Sequence, residues 1–547
     1  MDSLKAILIA LCLLSASFIQ AQTMVYLEHS ETLSFDEKRL PDAQILRGDV
    51  RFRHDSAMMY CDSAYFYEKT NSVRAFGHVR FEQGDTLRGF GDMLYYDGNT
   101  RLARLRRNVL LEHKTTTLTT DSLNYDRIAD KAYYFTGGII RDSLNSLESV
   151  WGEYNPPTST AVFRQTVHLY NPSFTLDTDT LRYNTKTHVA FLVSPTEIVY
   201  KDETMIHSAD GWYNTEEQQA MLLRRSVIEH IDGRFLTGDT IFYDRYKGFG
   251  QLLQHIEIRD TVQHLSLYGN YGEMWDRDRR GFVTDSALVE DWSQHEHTYA
   301  HADSLFFEQL PCLDTTCHDT AYQQLRAFRH VRAWSLDYQM VCDSLTYNSR
   351  DSLIRLFHLP VCWNSTQQIS ADTITLYFKN GKMDYAHCTG NAIGVKHEDA
   401  DCYNQLTGKE MFAYIRDGEI REVDVTGNAE TVFYPREEDD GDIIGVNKTE
   451  SSRVQIFLQD RKVDHILFTT ATSGTMYPLD QIERKERFLP VFFWAEKERP
   501  QSVDDLFLRP ERTERPKTTL SATEDEEDNA DNDNKKQKKT NRNKKRK

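Results

Sequence analysis

Proline is scarce, 13 in 547 residues. Beyond the first twenty or so positions no apolar run approaches 18 residues. The second absence excludes a further membrane-spanning helix. Helical periodicity is nearly missing too, so a helix bundle has no apolar stripe to build on. There is no C-x-x-C pair, the usual mark of a structural zinc site. A nucleophile elbow, a P-loop, an H-E-x-x-H helix and a dinucleotide fingerprint are all absent. Basic residues are outnumbered, 65 against 84 acidic ones, and the net charge of -19 disfavours nucleic acid as a partner. Tyr and Phe, by contrast, are plentiful at 28 each. Such residues suit many half-exposed strands.

The chain opens with Lys5, an apolar stretch from Ala6 to Ile19, and Gln20-Ala21-Gln22. That pattern predicts a signal peptide cleaved after Ala21, with an uncleaved anchor as the alternative. Export exposes cysteines to oxidation. Of the 8 cysteines, losing Cys12 leaves seven, an odd number in a long chain, so no disulfide scaffold is expected. Cys312 and Cys317 close a short loop and are expected to pair. His295, His297 and His301 read as an exposed polar strand edge. No metal site and no cofactor is expected.

One short phrase recurs: Asp, a small residue, an aliphatic, any residue, then an aromatic or aliphatic. It starts at Asp62, Asp92, Asp121, Asp179, Asp239, Asp303, Asp343 and Asp372, at spacings of 30, 29, 58, 60, 64, 40 and 29. The doubled gaps hide degenerate copies, and the gap of 40 carries an insertion around 308–328. A second phrase interleaves with it, as in Gly48-Asp49-Val50-Arg51-Phe52 and Gly77-His78-Val79-Arg80-Phe81. A repeat of about 30 residues therefore organises the chain.

Both phrases alternate with period two, which means strands with one apolar and one polar face. The inward set predicted from this is Val50, Phe52, Val79, Phe81, Leu94, Tyr96, Val109, Leu111, Leu123, Tyr125, Leu181 and Tyr183. The repeated Asp is expected at each strand entry, bonding its own backbone in an Asx-turn, with Gly at a corner. Asp97-Gly98, Asn380-Gly381 and Asp417-Gly418 predict tight hairpins with positive φ at both residues. Hairpins favour an antiparallel jelly roll over a β-solenoid. The predicted organisation is a signal peptide over 1–21, a β-repeat region over 22–470, a C-terminal cap over 471–523 and a disordered charged tail over 524–547. The tail carries an acidic block followed by a basic one.

The phrases G-D-V-R-F, H-V-R-F-E-Q-G-D-T-L, N-V-L-L and D-S-L-N-Y-D resemble the OstA-like family of lipopolysaccharide-transport proteins, which includes LptA. The resemblance spans most of 24–470 and is strongest over 45–200. It implies an elongated, V-shaped antiparallel β-jelly roll with an apolar interior. It also implies a non-enzymatic periplasmic carrier that holds the acyl chains of lipopolysaccharide on their way to the outer membrane, where association with that membrane is a further expectation. The expected partners are lipopolysaccharide and transport components of the same fold. End-to-end self-association is a further expectation, since the first module begins without an obvious cap. This chain departs from the family in its length, its insertion near Cys312 and its charged tail.

Other readings remain open on the residues alone. One is a structural or adhesive exported β-repeat protein with a dry core, and another is a carbohydrate-active β-helix enzyme. An outer-membrane barrel would turn Arg51, Arg53, Arg80 and Arg182 toward lipid or a lumen, and midplane arginines facing lipid cost about 2–4 kcal/mol each.

Overall fold

A computed structural model describes residues 24–516, except Thr86, Pro156, Asp202, 313–320, 380–381, Asp417, 438–440 and 460–461. The signal segment, Cys317, the Asn380-Gly381 pair and the charged tail lie outside the described residues. The fold is all-β, and consecutive strands pair antiparallel, which sets the solenoid aside. It forms two compact units. One holds the chain to Asp232 together with Asp239–Tyr246, and the other holds Gly233–Gly238 and the chain from Lys247.

In the N-terminal unit, Gln44–His54, Ala57–Tyr67, Ser72–Gln83, Leu87–Asp97, Leu102–His113 and Thr116–Asp126 follow one another as hairpins. Their ladders slip between Arg47 and Val50, Phe76 and Val79, and Arg106 and Val109. Two successive left-handed residues stand at each slip: Gly48 and Asp49 (φ 80° and 43°), Gly77 and His78 (75° and 41°), Arg107 and Asn108 (63° and 49°). Such a pair bends the strand sharply, so each strand has two arms in different layers. Arms such as 44–47, 63–67, 72–76, 93–97 and 102–106 form the first layer. Arms such as 50–54, 57–60, 79–83, 87–90 and 109–113 form the second. Their apolar faces meet in one core that includes Leu46, Phe66, Leu94 and Leu105 from the first layer and Val50, Phe52, Val79 and Phe81 from the second.

The recurring Asp stands at the strand entry at Asp303 and Asp372, directly before Ser304–Pro311 and Thr373–Lys379, but the other copies lie inside their strands. Asp62 lies in the middle of Ala57–Tyr67, at the corner, and its carboxylate meets the left-handed residue of the next strand, His78 Nδ1 at 2.7 Å. Asp92 takes a bond from Asn108 Nδ2 (2.7 Å), Asp303 faces His330 Nδ1 (2.9 Å), and Asp372 takes one from Asn391 Nδ2 (3.1 Å). The Asp is a corner clamp between strands. Gly77 is required at that corner: a Cβ there would sit 2.4 Å from Asp62 Oδ2.

Asx-turns do occur, one residue beyond the phrase. Asp97 Oδ1 accepts from Asn99 N (2.9 Å), Asp126 Oδ1 from Ile128 N (2.8 Å) and Asn184 Oδ1 from Lys186 N (2.9 Å). Neither Asp97 nor Gly98 has positive φ; that role falls to Arg101 (56°). The hairpin is real, but its turn is longer than the dipeptide suggested. At the corresponding turn after Arg416, Gly418 is left-handed (79°).

The clamp yields a pH prediction. Asp62 holds His78 above its ordinary value, first by the hydrogen bond and then by charge attraction. The contact is complete below pH 6.5 and is lost as pH rises through the elevated pKa of the folded state. An NMR titration should place His78 above 6.5, and Asp62→Asn should return it toward that value. An unmoved midpoint would remove the clamp's electrostatic part. Both side chains are largely exposed, so the effect on global stability is small.

The C-terminal unit uses the same device. Arg329 and His330 (63°, 51°), Gly390 and Asn391 (74°, 46°), and Gly427 and Asn428 (82°, 53°) form its corners. Its core gathers Leu305, Val331, Leu345, Leu356, Ile374, Met411 and Val454. Strands continue to Ser473–Tyr477. After them the chain turns back as a strap across the outer face of this unit's arms that carry Val341, Val361, Ile393 and Val432, rather than capping the last strands alone. Ile482 and Leu489 pack on Val432, Tyr434 and Val446, while Phe493 and Ala495 pack on Val341, Val361, Trp363, Ile393 and Val395. Farther on, Phe507 lies against His301, with ring centroids 4.6 Å apart.

Three buried glutamines hold the strap. Gln368 donates to Phe493 O (3.0 Å) and accepts from Ala495 N (2.8 Å). Gln405 donates to Arg487 O (2.9 Å) and accepts from Leu489 N (2.8 Å). Gln339 Oε1 takes both Nε and Nη2 of Arg499 (2.8 and 2.7 Å). Cross-strand pairing places them in one register, Gln339–Trp363–Gln368–Val395–Gln405. A side-chain amide carries both N–H donors and a carbonyl acceptor, so it satisfies a strap backbone as a neighbouring strand would.

Candidate functional site

The candidate site is the interior between the two layers of the N-terminal unit. The two repeat phrases serve opposite walls. Val50, Phe52, Val79, Phe81, Val109 and Leu111 come from the second layer; Leu94, Tyr96, Leu123, Tyr125, Leu181 and Tyr183 come from the first. Ten of the twelve are buried, and Leu111 and Tyr183 are half-buried. Phe81 and Tyr125 meet across the gap, with ring centroids 6.1 Å apart. Of the outward neighbours, Arg80 and Leu110 are half-buried. Asn124 is a surprise, buried beneath Arg106, whose Nη2 donates to its Oδ1 at 2.8 Å.

The layers close tightly at the first strands. A void of about 10 Å³ is left beside Phe52, His54, Met59 and Tyr96, room for about one water. A polar clasp joins the two rims there. Arg127, from the first layer, donates through Nη1 to Tyr96 OH (2.9 Å) and to His54 O (3.4 Å) on the second, and its Nη2 lies 3.8 Å from Asp55. Arg101 reaches the same carboxylate at 3.5 Å. The Arg127 side chain is only 6 % exposed, so this is a buried cation with a charged partner.

Past the clasp the layers part. A cavity of about 190 Å³ opens among Phe81, Leu87, Leu105, Leu111, Leu123 and Ala132, and Gly89 leaves its wall bare of a side chain. Gln83, His113, Asp130 and Tyr154 stand among its polar lining. Tyr125 donates to Asp130 Oδ1 at 2.7 Å, and burial raises its pKa. Burial, followed by Lys114, lowers that of His113, which keeps the imidazole neutral near pH 7. The chamber is apolar inside, with neutral and acidic groups around it. It suits an apolar chain with a polar end.

The interior of the C-terminal unit carries Cys342 and Cys388, both fully buried, with burial raising both thiols; Cys362 beside them is pushed up to about 12. Cys61 in the N-terminal core is likewise pushed up to about 12. Cys312 is disulfide-bonded, and its expected partner, Cys317, lies outside the described residues. His297 bonds Glu290 at 2.8 Å and is exposed, as expected of a polar edge. His301 corrects that reading: it is buried under Phe507 and bonds Ala287 O at 2.7 Å.

Two features escaped the sequence pattern, the clasp and the strap. His54 ends its strand and Arg127 lies in a turn, both outside the two phrases, and they are 73 residues apart. Gln339, Gln368 and Gln405 sit at outward positions, where polar residues raise no question.

A family model described as OstA-like protein matches residues 22–179, the stretch that contains the clasp and the cavity. No curated protein matches the chain.

Proposed function

We propose that the protein is a non-enzymatic periplasmic carrier that shelters lipopolysaccharide acyl chains between its two layers and passes them toward the outer membrane. The observation that carries this is the apolar chamber beyond the clasp, lying inside the segment that matches a family associated with lipopolysaccharide and organic-solvent transport. Its 190 Å³ falls below the roughly 300–1,000 Å³ of ordinary ligand pockets. An acyl chain therefore needs the layers to part, and the polar groups around the chamber are placed for a headgroup. Burying twelve carbons contributes about 10 kcal/mol. Several chains held at full burial would approach the affinity ceiling of about 18–21 kcal/mol and would not leave, so a carrier gains from partial shelter.

Strand addition supplies the partner contact in this reading. Among the described residues, Tyr26–His29 and Thr32–Phe35 are each paired on one side, to Gln44–His54, and Tyr26, Leu33 and Phe35 are exposed. A second copy, or a transport component of the same fold, would extend those edges.

A photo-crosslinking residue tests the interior. At Phe81, Leu111 or Tyr125 it should capture lipopolysaccharide in cells, and at Arg80 or Leu110 it should not. Failure at every position would favour a structural β-repeat protein with a dry core, the reading that the tight packing at the first strands supports. Equal capture at both sets would mean surface adsorption.

A further inference from the structure

We propose that the outer face of the first layer in the N-terminal unit docks on a membrane surface bearing anionic lipid phosphates. In a chain of net charge -19 this face is an exception. Arg47, Arg74, Arg104, Arg164 and Arg182 are exposed on it and Arg106 is half-buried. They occupy two adjacent registers. In one, Arg74 faces Tyr95, which faces Arg104, and Arg182 follows farther along. In the other, Arg47 faces Ser63, Phe76 faces Met93, and Met93 faces Arg106; Trp151 and Arg164 continue it. Between Gln44 and Leu192 the single carboxylate in these registers is Glu153, and Lys131 neutralises it at 2.6 Å. Among the described residues no carboxylate lies within ion-pair distance of any of the six arginines.

Aromatic rings lie against all of them but Arg47. Arg74 lies over Tyr67 and Tyr95 (5.6 and 5.8 Å), Arg104 over Tyr95 (5.4 Å), Arg164 over Trp151 (5.0 Å) and Arg182 over Phe191 (4.4 Å). A ring fixes a guanidinium through its face and leaves the N–H edges open to an anion. Arg106 is the exception, spending its donors on the carbonyls of Leu105 and Leu123 and on Asn124. Burial, and then the charge of Arg104, lowers its pKa, as expected where no acid offsets the cluster.

The layout selects the partner. Arg47, Arg74 and Arg104 stand on alternate strands, roughly 10 Å apart at ~4.8 Å per strand. A spread array of cations on a sheet face suits a plane of headgroups better than one compact anion. The interleaved Tyr and Trp rings suit the headgroup region, where amphipathic aromatics collect.

Vesicle flotation of the protein lacking residues 1–21 tests the proposal. It should float with phosphatidylglycerol-containing vesicles, stay behind with pure phosphatidylcholine, and release in high salt. The triple variant Arg74→Gln/Arg104→Gln/Arg182→Gln should lose about a hundredfold in vesicle affinity. The corresponding Lys triple variant, which keeps the charge, should retain most of it. Arg53→Gln, on the outer face of the second layer, should change nothing. Equal flotation with both lipids would overturn the proposal, as would an unaffected Gln variant, or tighter salt-sensitive binding to a DNA duplex than to the anionic vesicles. The outcome does not depend on acyl-chain capture in the interior, so either reading can fail alone.

Discussion

Replacing Gln368 with Leu is expected to free the strap from the C-terminal unit. The amide of Gln368 serves Phe493 O, Ala495 N and the indole of Trp363, the last at 3.2 Å. Leucine fills much of the space but leaves all three groups buried and unpaired. Each such group costs about 1–3 kcal/mol, and partial relaxation should bring the total to about 3 kcal/mol. Hydrogen exchange should show the Ala495 amide losing protection first, ahead of the strands beneath it. Gln405→Leu should do the same at Leu489, and the two losses should add, because the glutamines contact separate stretches of strap. Unchanged protection at Ala495 would mean that apolar packing of Phe493 and its neighbours holds the strap without the amide.

Arg127→Ala should have an effect of similar size on the N-terminal unit. The substitution strips Tyr96 and His54 of their shared donor and leaves Asp55 facing Arg101 alone. Breaking one partner out of a buried charged cluster costs about 3–5 kcal/mol. The functional consequence is the sharper test. With the rims unclasped, the layers should part at the first strands, and Cys61, normally buried in that core, should react with an alkylating reagent that spares it in the wild type. Capture of lipid at Phe81 should rise in the same variant if the clasp limits entry. Loss of stability without new reactivity at Cys61 would make the clasp a structural bond only.

The repeat was legible because its signals are local. Alternation in Val50-Arg51-Phe52 or Leu123-Asn124-Tyr125 is enough to assign strands, faces and the apolar interior. What the repeated Asp does was not legible. Asp62 and Asp97 are the same residue type, yet one clamps a corner and the other caps a turn. The difference depends on where the next strand passes, and that is a tertiary fact. The Asp97-Gly98 dipeptide misled for a related reason: the Asx-turn at Asp97 moved the left-handed residue to Arg101. The charge balance misled as well. An average of excess acid said nothing of how arginines gather on one face, because alternate positions of several strands must be aligned before the registers appear. The chamber beyond the clasp needed both layers in place, since Phe81 and Tyr125 are 44 positions apart in the chain.

The corner clamps bear on how such a chain can grow or shrink. Asp62 reaches His78 and Asp92 reaches Asn108, each 16 residues away, so a corner is complete once two neighbouring strands are made. Assembly can then proceed hairpin by hairpin, with little loop entropy to overcome at each addition. A gene that duplicates or deletes one such stretch hands the next corner the same geometry it had before. Length becomes an adjustable quantity, set by how many hairpins are added rather than by what a core of fixed size can enclose.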